Sequence, residues 1–306
     1  MISTAFFGTE KFAAGILEAL IASGEFDITL VITQPDRPIG RKQEMHISPV
    51  KEIALKYNLE IAQPETKQEL TKYQPEVSKL QLAIVCQYGL IISKEIVDAP
   101  KLGSINVHPS LLPKYRGASP IQSALINGET NTGVSIMIMD EKMDHGPILS
   151  QTELPIAPDD TYETLAEKLL QISQPQLIET ASAWVNEESK PKEQDHSQAT
   201  FCKMFNKEDG RVDWQNKTAK EIFNLYRGLK HWPGVWTIAN DARFKLLEIK
   251  PSTESVTPGV IAVINKQLLV GAKEGSVEIL EIQPEGKKAM PAVAFINGHK
   301  HLSRFE

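Results

Sequence analysis

Asn106 and His108 stand two apart in the run Ser104-Ile105-Asn106-Val107-His108-Pro109. On a strand that spacing puts both side chains on one face. Pro109 stops the ladder, so the pair belongs to the strand's end. An amide NH2 beside an imidazole suits chemistry in which negative charge develops on an oxygen, because the amide and a protonated imidazole both donate to it. The alternative is a polar strand end whose groups cap neighbouring backbone. A second candidate lies in Met143-Asp144-His145-Gly146, a turn between two apolar runs. A carboxylate there, brought near His108, would orient the ring and favour its charged form. An aspartate in a turn is also an ordinary turn residue, and the sequence does not show that Asp144 reaches His108. His145 is read as part of the loop. The motifs of several other chemistries are missing from the chain: it has no G-x-G-x-x-G, Walker loop, G-x-S-x-G elbow, H-E-x-x-H or Cys/His cluster of zinc spacing.

The elements that must position these residues alternate. Ile2–Phe7, Phe26–Thr33, Leu59–Ala62, Leu80–Gln87 and Ser104–Val107 read as strands. Lys11–Leu20, Pro49–Tyr57 and Glu65–Tyr73 have helical spacing. Strands alternating with helices predict right-handed crossovers and a parallel sheet, with the active site at the strands' carboxyl ends. Val134–Asp140 and Ile148–Ile156 flank the Asp144 turn as two further strands, and Tyr162–Val185 reads as a long amphipathic helix. Asn186–Ala199 is rich in Glu, Lys, Ser, Gln and Pro with almost no apolar residues, and reads as a linker. Beyond it a helix at Glu221–Leu229 precedes short strands at Val235–Ile238, Arg243–Ile249, Gly259–Ile264, Gln267–Gly271 and Ser276–Gln283. That pattern predicts a small β-barrel. The expected fold is therefore α/β, a Rossmann-like parallel-sheet domain followed by a small barrel, with the boundary near residues 190–207.

Composition is that of a globular chain: 306 residues, 41% apolar and 24% charged. No apolar stretch approaches the roughly 18–20 residues of a spanning helix, and no signal peptide is evident. Cys86 sits in an apolar run and is expected in the core; neither a disulfide nor a metal is expected, which fits a cytoplasmic protein. The net charge of −6 conceals two opposite halves. Residues 207–306 carry 15 Lys/Arg against 12 Asp/Glu, whereas residues 1–206 carry 18 against 27. The acidic first half also contains a turn-rich stretch, Gln34 to Ser48, with Arg37, Arg41 and Lys42. It is either a solvated loop or a place where phosphates are gripped.

Asn106-Val107-His108-Pro109-Ser110-Leu111-Leu112-Pro113-Lys114-Tyr115-Arg116-Gly117-Ala118, together with Met143-Asp144-x-Gly146, resembles the 10-formyltetrahydrofolate-dependent formyltransferases. Thr33 to Lys42, Ser48-Pro49-Val50-Lys51, Trp232-Pro233-Gly234 and Gln283 to Met290 are similar to the methionyl-tRNA formyltransferase family within that group. The resemblance runs from Phe7 to about Ala294. Two departures are Glu10, where the family usually has Pro, and Cys86-Gln87, where it has small residues.

The resemblance implies a catalytic formyltransferase domain at 1–189, a linker at 190–206 and an OB-like tRNA-binding domain at 207–306. It implies that Asn106, His108 and Asp144 are catalytic. It matches Gln87, Tyr88, Gly89, Leu90, Ile91, Ser110, Leu111, Leu112, Pro113, Met139 and Asp140 to the folate-binding segments. It marks Arg37, Arg41, Lys42, Lys207, Arg211, Lys287 and Lys288 for tRNA. The implied activity is transfer of a formyl group from 10-formyltetrahydrofolate to the α-amine of initiator methionyl-tRNA, by a monomer without metal or membrane. Two competitors remain. An amino-sugar nucleotide formyltransferase would not use the basic loop at 34–48 or the Lys287-Lys288 turn. A noncatalytic RNA-binding protein would not need Asn106, His108 and Asp144 together.

Overall fold

The computed structural model describes residues 1–39, 43–299 and 301–306. They cluster into two units that do not follow a single cut in the chain. The first is Met1–Gly117, Asn131–Pro155 and Ala166–Phe201; the second is Ala118–Thr130, Ile156–Leu165 and Cys202–Glu306.

The first unit begins with β1 (Ile2–Gly8), α1 (Lys11–Ser23) and β2 (Phe26–Ile32). A short hairpin, β3 (Arg37–Ile39) and β4 (Glu44–His46), lies within the stretch read as a turn-rich loop. Next come α2 (Pro49–Lys56), β5 (Ile61–Ala62), α3 (Lys67–Thr71), α4 (Gln74–Val77), β6 (Leu82–Cys86), α5 (Lys94–Val97), β7 (Ser104–His108) and β8 (Arg116–Gly117). Local chemistry sets several boundaries. Gly24 ends α1 in the left-handed conformation at φ 69°. Ser48 caps α2 by accepting from the Lys51 N–H, with Pro49 in its first turn. Every residue of β6 is buried, as an interior strand covered on both faces requires. Cys86 lies there, and burial pushes its thiol pKa far up.

The main sheet has the order β10-β9-β7-β6-β1-β2-β5, with β9 (Asn131–Ile138) and β10 (Ile148–Pro155). Its strands are parallel from β5 through β7. β9 then runs antiparallel to β7, and β10 antiparallel to β9. The Rossmann-like parallel sheet is as expected, and the two strands flanking the Asp144 turn extend it antiparallel. The physical reason is the direct connection through residues 139–147: a hairpin joins antiparallel strands, whereas a parallel pair needs a longer crossover. Helix α7 (Tyr162–Val185) contains Pro175, and from Ala166 onward it belongs to the first unit. Its Leu170 packs on α1 so closely that a Cβ on Gly15 would lie 2.6 Å from it.

The polar stretch after α7 is not a free connection up to residue 201. Lys192 and Ile148 exchange backbone hydrogen bonds of 2.8 Å, extending the edge of β10. Gln194 is buried, and Thr200 bonds to the segment around β8. A composition with almost no apolar residues gave no sign of this, because the strap is held by polar groups.

β11 (Phe201–Cys202) lies where the chain passes from one unit to the other. The second unit takes in α6 (Pro120–Ile126), unforeseen from sequence, which packs on α8 (Ala219–Leu229). A Cβ on Gly228 of α8 would lie 2.7 Å from Ile126 and 3.0 Å from the Gln122 carbonyl oxygen. Thr218 and Glu221 cap α8 reciprocally. The antiparallel sheet comprises β12 (Val235–Ala239), β13 (Ala242–Ser252), β14 (Ile261–Ile264), β15 (Gln267–Gly271) and β16 (Ser276–Pro284) in the order β12-β13-β16-β15-β14, with β17 (Met290–Pro291) on β16. Helix α9 (Ala292–Gly298) follows.

The residues after α9 tie the two edge strands together. Ser303 and Phe305 bond beside β14, through Ile261 N to Ser303 O and Phe305 N to Gly259 O, while the Glu306 N–H donates to Ile238 O on β12, each at 2.8 Å. The sheet is barrel-like, as expected. Phe305 is fully buried beside Trp214, Phe244 and Phe295. Phe305→Ala is expected to destabilise this unit by about 3–5 kcal/mol, read by urea unfolding followed by tryptophan fluorescence. A loss below about 1 kcal/mol would show that the chain end does not anchor the barrel. Among the described residues no helix is long and apolar enough to cross a membrane, and no group of three or more His, Cys, Asp or Glu residues could hold a metal.

Candidate active site

The register of β7 places Asn106 beside Val85 of β6 and Met137 of β9. The loop after β9 leaves beside the start of β7, where the Met139 N–H donates to Ser104 O. It then returns along that strand, and Asp144 Oδ1 comes within 3.4 Å of Asn106 Nδ2 and 3.6 Å of His108 Nδ1. One carboxylate oxygen therefore meets both residues, which puts all three on one face. His108 and Asp144 are largely enclosed, with side-chain exposures of 5% and 12%.

Two backbone features bring the carboxylate there. Asp144 adopts φ 49°, a left-handed conformation that aspartate tolerates better than most residues. Gly146 runs against β9, where a Cβ would lie 2.1 Å from the Ile138 carbonyl oxygen.

The segment around β8 holds the other side. His108 Nε2 donates to the Tyr115 carbonyl oxygen at 3.0 Å. A carbonyl only accepts, so Nε2 carries the hydrogen, and Nδ1 is the ring nitrogen facing Asp144 and Asn106. The Gly117 N–H donates to Asp144 Oδ2 at 2.7 Å. Arg116, between these two contacts, is buried. It donates to Gln194 Oε1 through Nη2 at 2.6 Å and Nε at 3.2 Å, and to His196 Nδ1 at 2.9 Å. The Gln194 amide in turn donates to Asp144 O at 3.0 Å and Gly146 O at 2.7 Å. His145 donates to Asp140 Oδ2 at 2.6 Å and stacks on His196, with ring centroids 4.0 Å apart.

The stretch after β6 turns sharply, with Gln87 at φ 46° and Gly89 at φ 89°. Thr9 Oγ1 fixes it by donating to Tyr88 O at 2.8 Å. Gln87 Oε1 and Tyr88 OH are buried without hydrogen-bond partners among the described residues, and burial pushes the Tyr88 hydroxyl pKa far up. Leu90 is half-buried, while Ile91 and Met143 are exposed. Ser110 and Leu112 are occupied inside the unit. Ser110 Oγ donates to Lys114 O, the Leu112 N–H donates to Ser135 Oγ, and the Leu112 side chain packs with Met137 and Ile148. Leu111, Pro113, Met139 and Asp140 are half-buried.

Of the basic residues, Arg37 stands on β3 and donates to Gln34 Oε1 at 3.2 Å, while Arg41 and Lys42 lie outside the described residues. The hairpin's root is tied down by Lys51, which donates to both Asp36 oxygens and to Gln63 Oε1 at 2.9, 2.6 and 2.7 Å. Those contacts hold the Asp36 carboxyl below the usual carboxylate pKa range. In the second unit Trp236 gathers three groups: its Nε1 donates to Lys207 O, and the Arg211 and Arg243 guanidiniums lie 6.0 and 3.8 Å from its ring. The Glu285 N–H donates to Arg243 O and the Arg243 N–H donates to Glu285 Oε2, next to the turn that carries Lys287 and Lys288. Of the four basic residues singled out in this unit, Arg211 shares the Trp236 ring with Arg243. Arg243 was not singled out, although alternation about the buried Phe244 places it on the face away from the core.

Residues 2–181 match the formyl transferase family, and residues 204–300 match the formyl transferase C-terminal domain. The chain is 45% identical over 297 residues to the methionyl-tRNA formyltransferase of Thermodesulfovibrio yellowstonii, covering 96% of this chain and 95% of that one. The chain belongs to the methionyl-tRNA formyltransferase family. Another relative of that name, from Enterococcus faecalis, is 41% identical over 307 residues, with 97% and 96% coverage. The fold of this formyltransferase is shared by solved structures. A sugar 3N-formyl transferase, solved in the presence of dTDP and 5-N-formyl-THF, superposes with a TM-score of 0.67 at 21% identity and covers 94% of this chain and 99% of its own. HypX from Aquifex aeolicus, in complex with tetrahydrofolic acid, gives a TM-score of 0.63 at 16% identity and covers 97% of this chain and 47% of its own.

Proposed function

We propose that this formyltransferase moves the formyl group of 10-formyltetrahydrofolate to the α-amine of initiator methionyl-tRNA, supporting translation initiation in the cytoplasm as a monomer. The observation that carries the reading is the convergence of Asn106 and His108 on one oxygen of Asp144. 10-Formyltetrahydrofolate supplies a carbonyl carbon that an amine attacks, with negative charge growing on the carbonyl oxygen.

Asn106 has two amide hydrogens, and only one is directed at Asp144. The other is available to that oxygen. His108 Nδ1 takes up the proton that the attacking amine sheds and returns it to the folate nitrogen as the bond between that nitrogen and the formyl carbon breaks, releasing tetrahydrofolate, while Tyr115 holds the ring from its far side. Asp144 places a charge beside Nδ1 and is steadied by the Gly117 N–H. No enzyme-bound covalent intermediate is needed. The stretch Gln87–Ile91 fits the folate: Gln87 Oε1 and Tyr88 OH are buried polar atoms without protein partners, and a pterin brings both N–H donors and acceptors. Met139 to Asp144 would flank the same ligand.

We assign 1–189 as the catalytic domain, 190–206 as the connection and 207–306 as the OB-like tRNA-binding domain. Arg37, Arg41 and Lys42, in the stretch Gln34 to Ser48, and Lys207, Arg211, Lys287 and Lys288, in the second unit, are the proposed tRNA contacts. The test offers the protein 10-formyltetrahydrofolate with charged initiator tRNA, elongator methionyl-tRNA and an amino-sugar nucleotide in parallel. Formylation of the initiator tRNA is expected; turnover of the sugar alone would reject the reading. Arg41→Ala should lower kcat/KM for methionyl-tRNA by about tenfold, within the range of one base contact, and rising salt should lower it for every variant. Unchanged tRNA kinetics would remove the hairpin from the interface.

A further inference from the structure

Asp144 approaches His108 and Asn106 only because its loop returns along β7, and that return is held from outside the catalytic trio. The strap at 192–201 supplies part of that hold. Gln194 is 5% exposed, and its NH2 donates to two successive turns of the loop, Asp144 O at 3.0 Å and Gly146 O at 2.7 Å. Its Oε1 accepts from Arg116, which is 3% exposed. That choice of groups is directional. The carbonyls of the loop need a donor and the guanidinium needs an acceptor, so a primary amide meets both ends whereas a carboxylate meets only one.

The same strap grips the opposite side of the site through Thr200. Its Oγ1 accepts from the Tyr115 N–H at 2.9 Å, its carbonyl accepts from the Arg116 N–H at 2.9 Å, and its N–H donates to Pro113 O at 3.2 Å. Tyr115 and Gly117, on either side of Arg116, are the residues whose backbone holds His108 Nε2 and Asp144 Oδ2. One strap therefore sets both members of the His108–Asp144 pair.

We infer that Gln194, with Arg116 and Thr200, is a positioning device for formyl transfer: the strap 192–201 fixes the separation of His108 and Asp144 and sets turnover without touching either substrate. The inference rests on the formyl-transfer reading above. Gln194→Glu tests it, since the variant keeps size and the acceptor for Arg116 but turns an oxygen towards the two loop carbonyls. The expected result is a kcat at least about tenfold lower, KM for methionyl-tRNA and for 10-formyltetrahydrofolate within about twofold, and a Tm within about 3 °C of the parent. Hydrogen exchange should quicken about tenfold in peptides spanning 140–148 and stay unchanged in 82–86.

Thr200→Val is the second variant. It removes only the hydroxyl acceptor of the Tyr115 N–H from a surface-facing backbone, and kcat should fall severalfold with KM unchanged. It decides the matter should Gln194→Glu fail to fold. A folded Gln194→Glu with kcat within about twofold of the parent, or a loss carried by KM alone, overturns the inference and leaves the reading of function standing. A parent protein that formylates no methionyl-tRNA overturns both.

Discussion

His108→Ala is expected to lower kcat for methionyl-tRNA formylation by at least about 10²–10³-fold, the range for losing one preorganised group at a site of developing charge. The ring is enclosed, its Nε2 is committed to Tyr115 O, and its Nδ1 lies 3.6 Å from Asp144 Oδ1. Alanine removes both the proton carrier and the group that Asp144 faces. The tRNA contacts proposed for the hairpin and the second unit are made by other residues, so the dissociation constant for methionyl-tRNA should stay within about twofold. Single-turnover formylation with a parallel filter-binding measurement separates the two quantities. A His108→Ala protein that turns over within about tenfold of the parent, or that loses tRNA affinity instead, would remove His108 from the chemistry.

Asp144→Asn should cost about as much, roughly 10²–10³-fold in kcat, with little change in stability. Asparagine is nearly isosteric, tolerates the φ of 49° at this position and can still accept from the Gly117 N–H. It then has to turn its NH2 towards Asn106, whose own NH2 already lies 3.4 Å from the present oxygen. Two donors face each other, and the charge beside His108 Nδ1 is gone. The variant thus separates electrostatics from folding. Thermal melting should shift by no more than about 3 °C while kcat collapses. A matching loss of both would mean that Asp144 is a structural turn residue, which is how its sequence context also reads.

Much of the architecture was legible because it depends on local periodicity. Leu82–Cys86 is buried throughout, as its unbroken apolar run foretold. The long helix at Tyr162–Val185 has the boundaries its pattern predicts, and so does the strand Gln267–Gly271. The misses share a cause. The packing of residues 192–201 against the first unit had no mark in the sequence, because a segment held by polar side chains and backbone carries no apolar signal. The hairpin β3–β4 is only three residues a side and exposed along β4. Helix α6 groups with the second unit although it precedes β9 in the chain.

The trio proposed for catalysis, Asn106, His108 and Asp144, divides along the same line. That Asn106 and His108 share a face was settled by the sequence alone, because successive residues on a strand alternate sides whatever surrounds them. The family signature added the identity of the third member but no reason for its reach. That Asp144 comes back across 38 residues to meet them was decided only by tertiary structure. It requires the sheet to turn antiparallel at β9, a left-handed aspartate, a glycine with no room for a Cβ, and a buried arginine–glutamine pair holding the loop from a distant strap. The antiparallel pairing and the arginine–glutamine pair join segments far apart in the chain, and spacing along a sequence carries no information about which distant groups will meet.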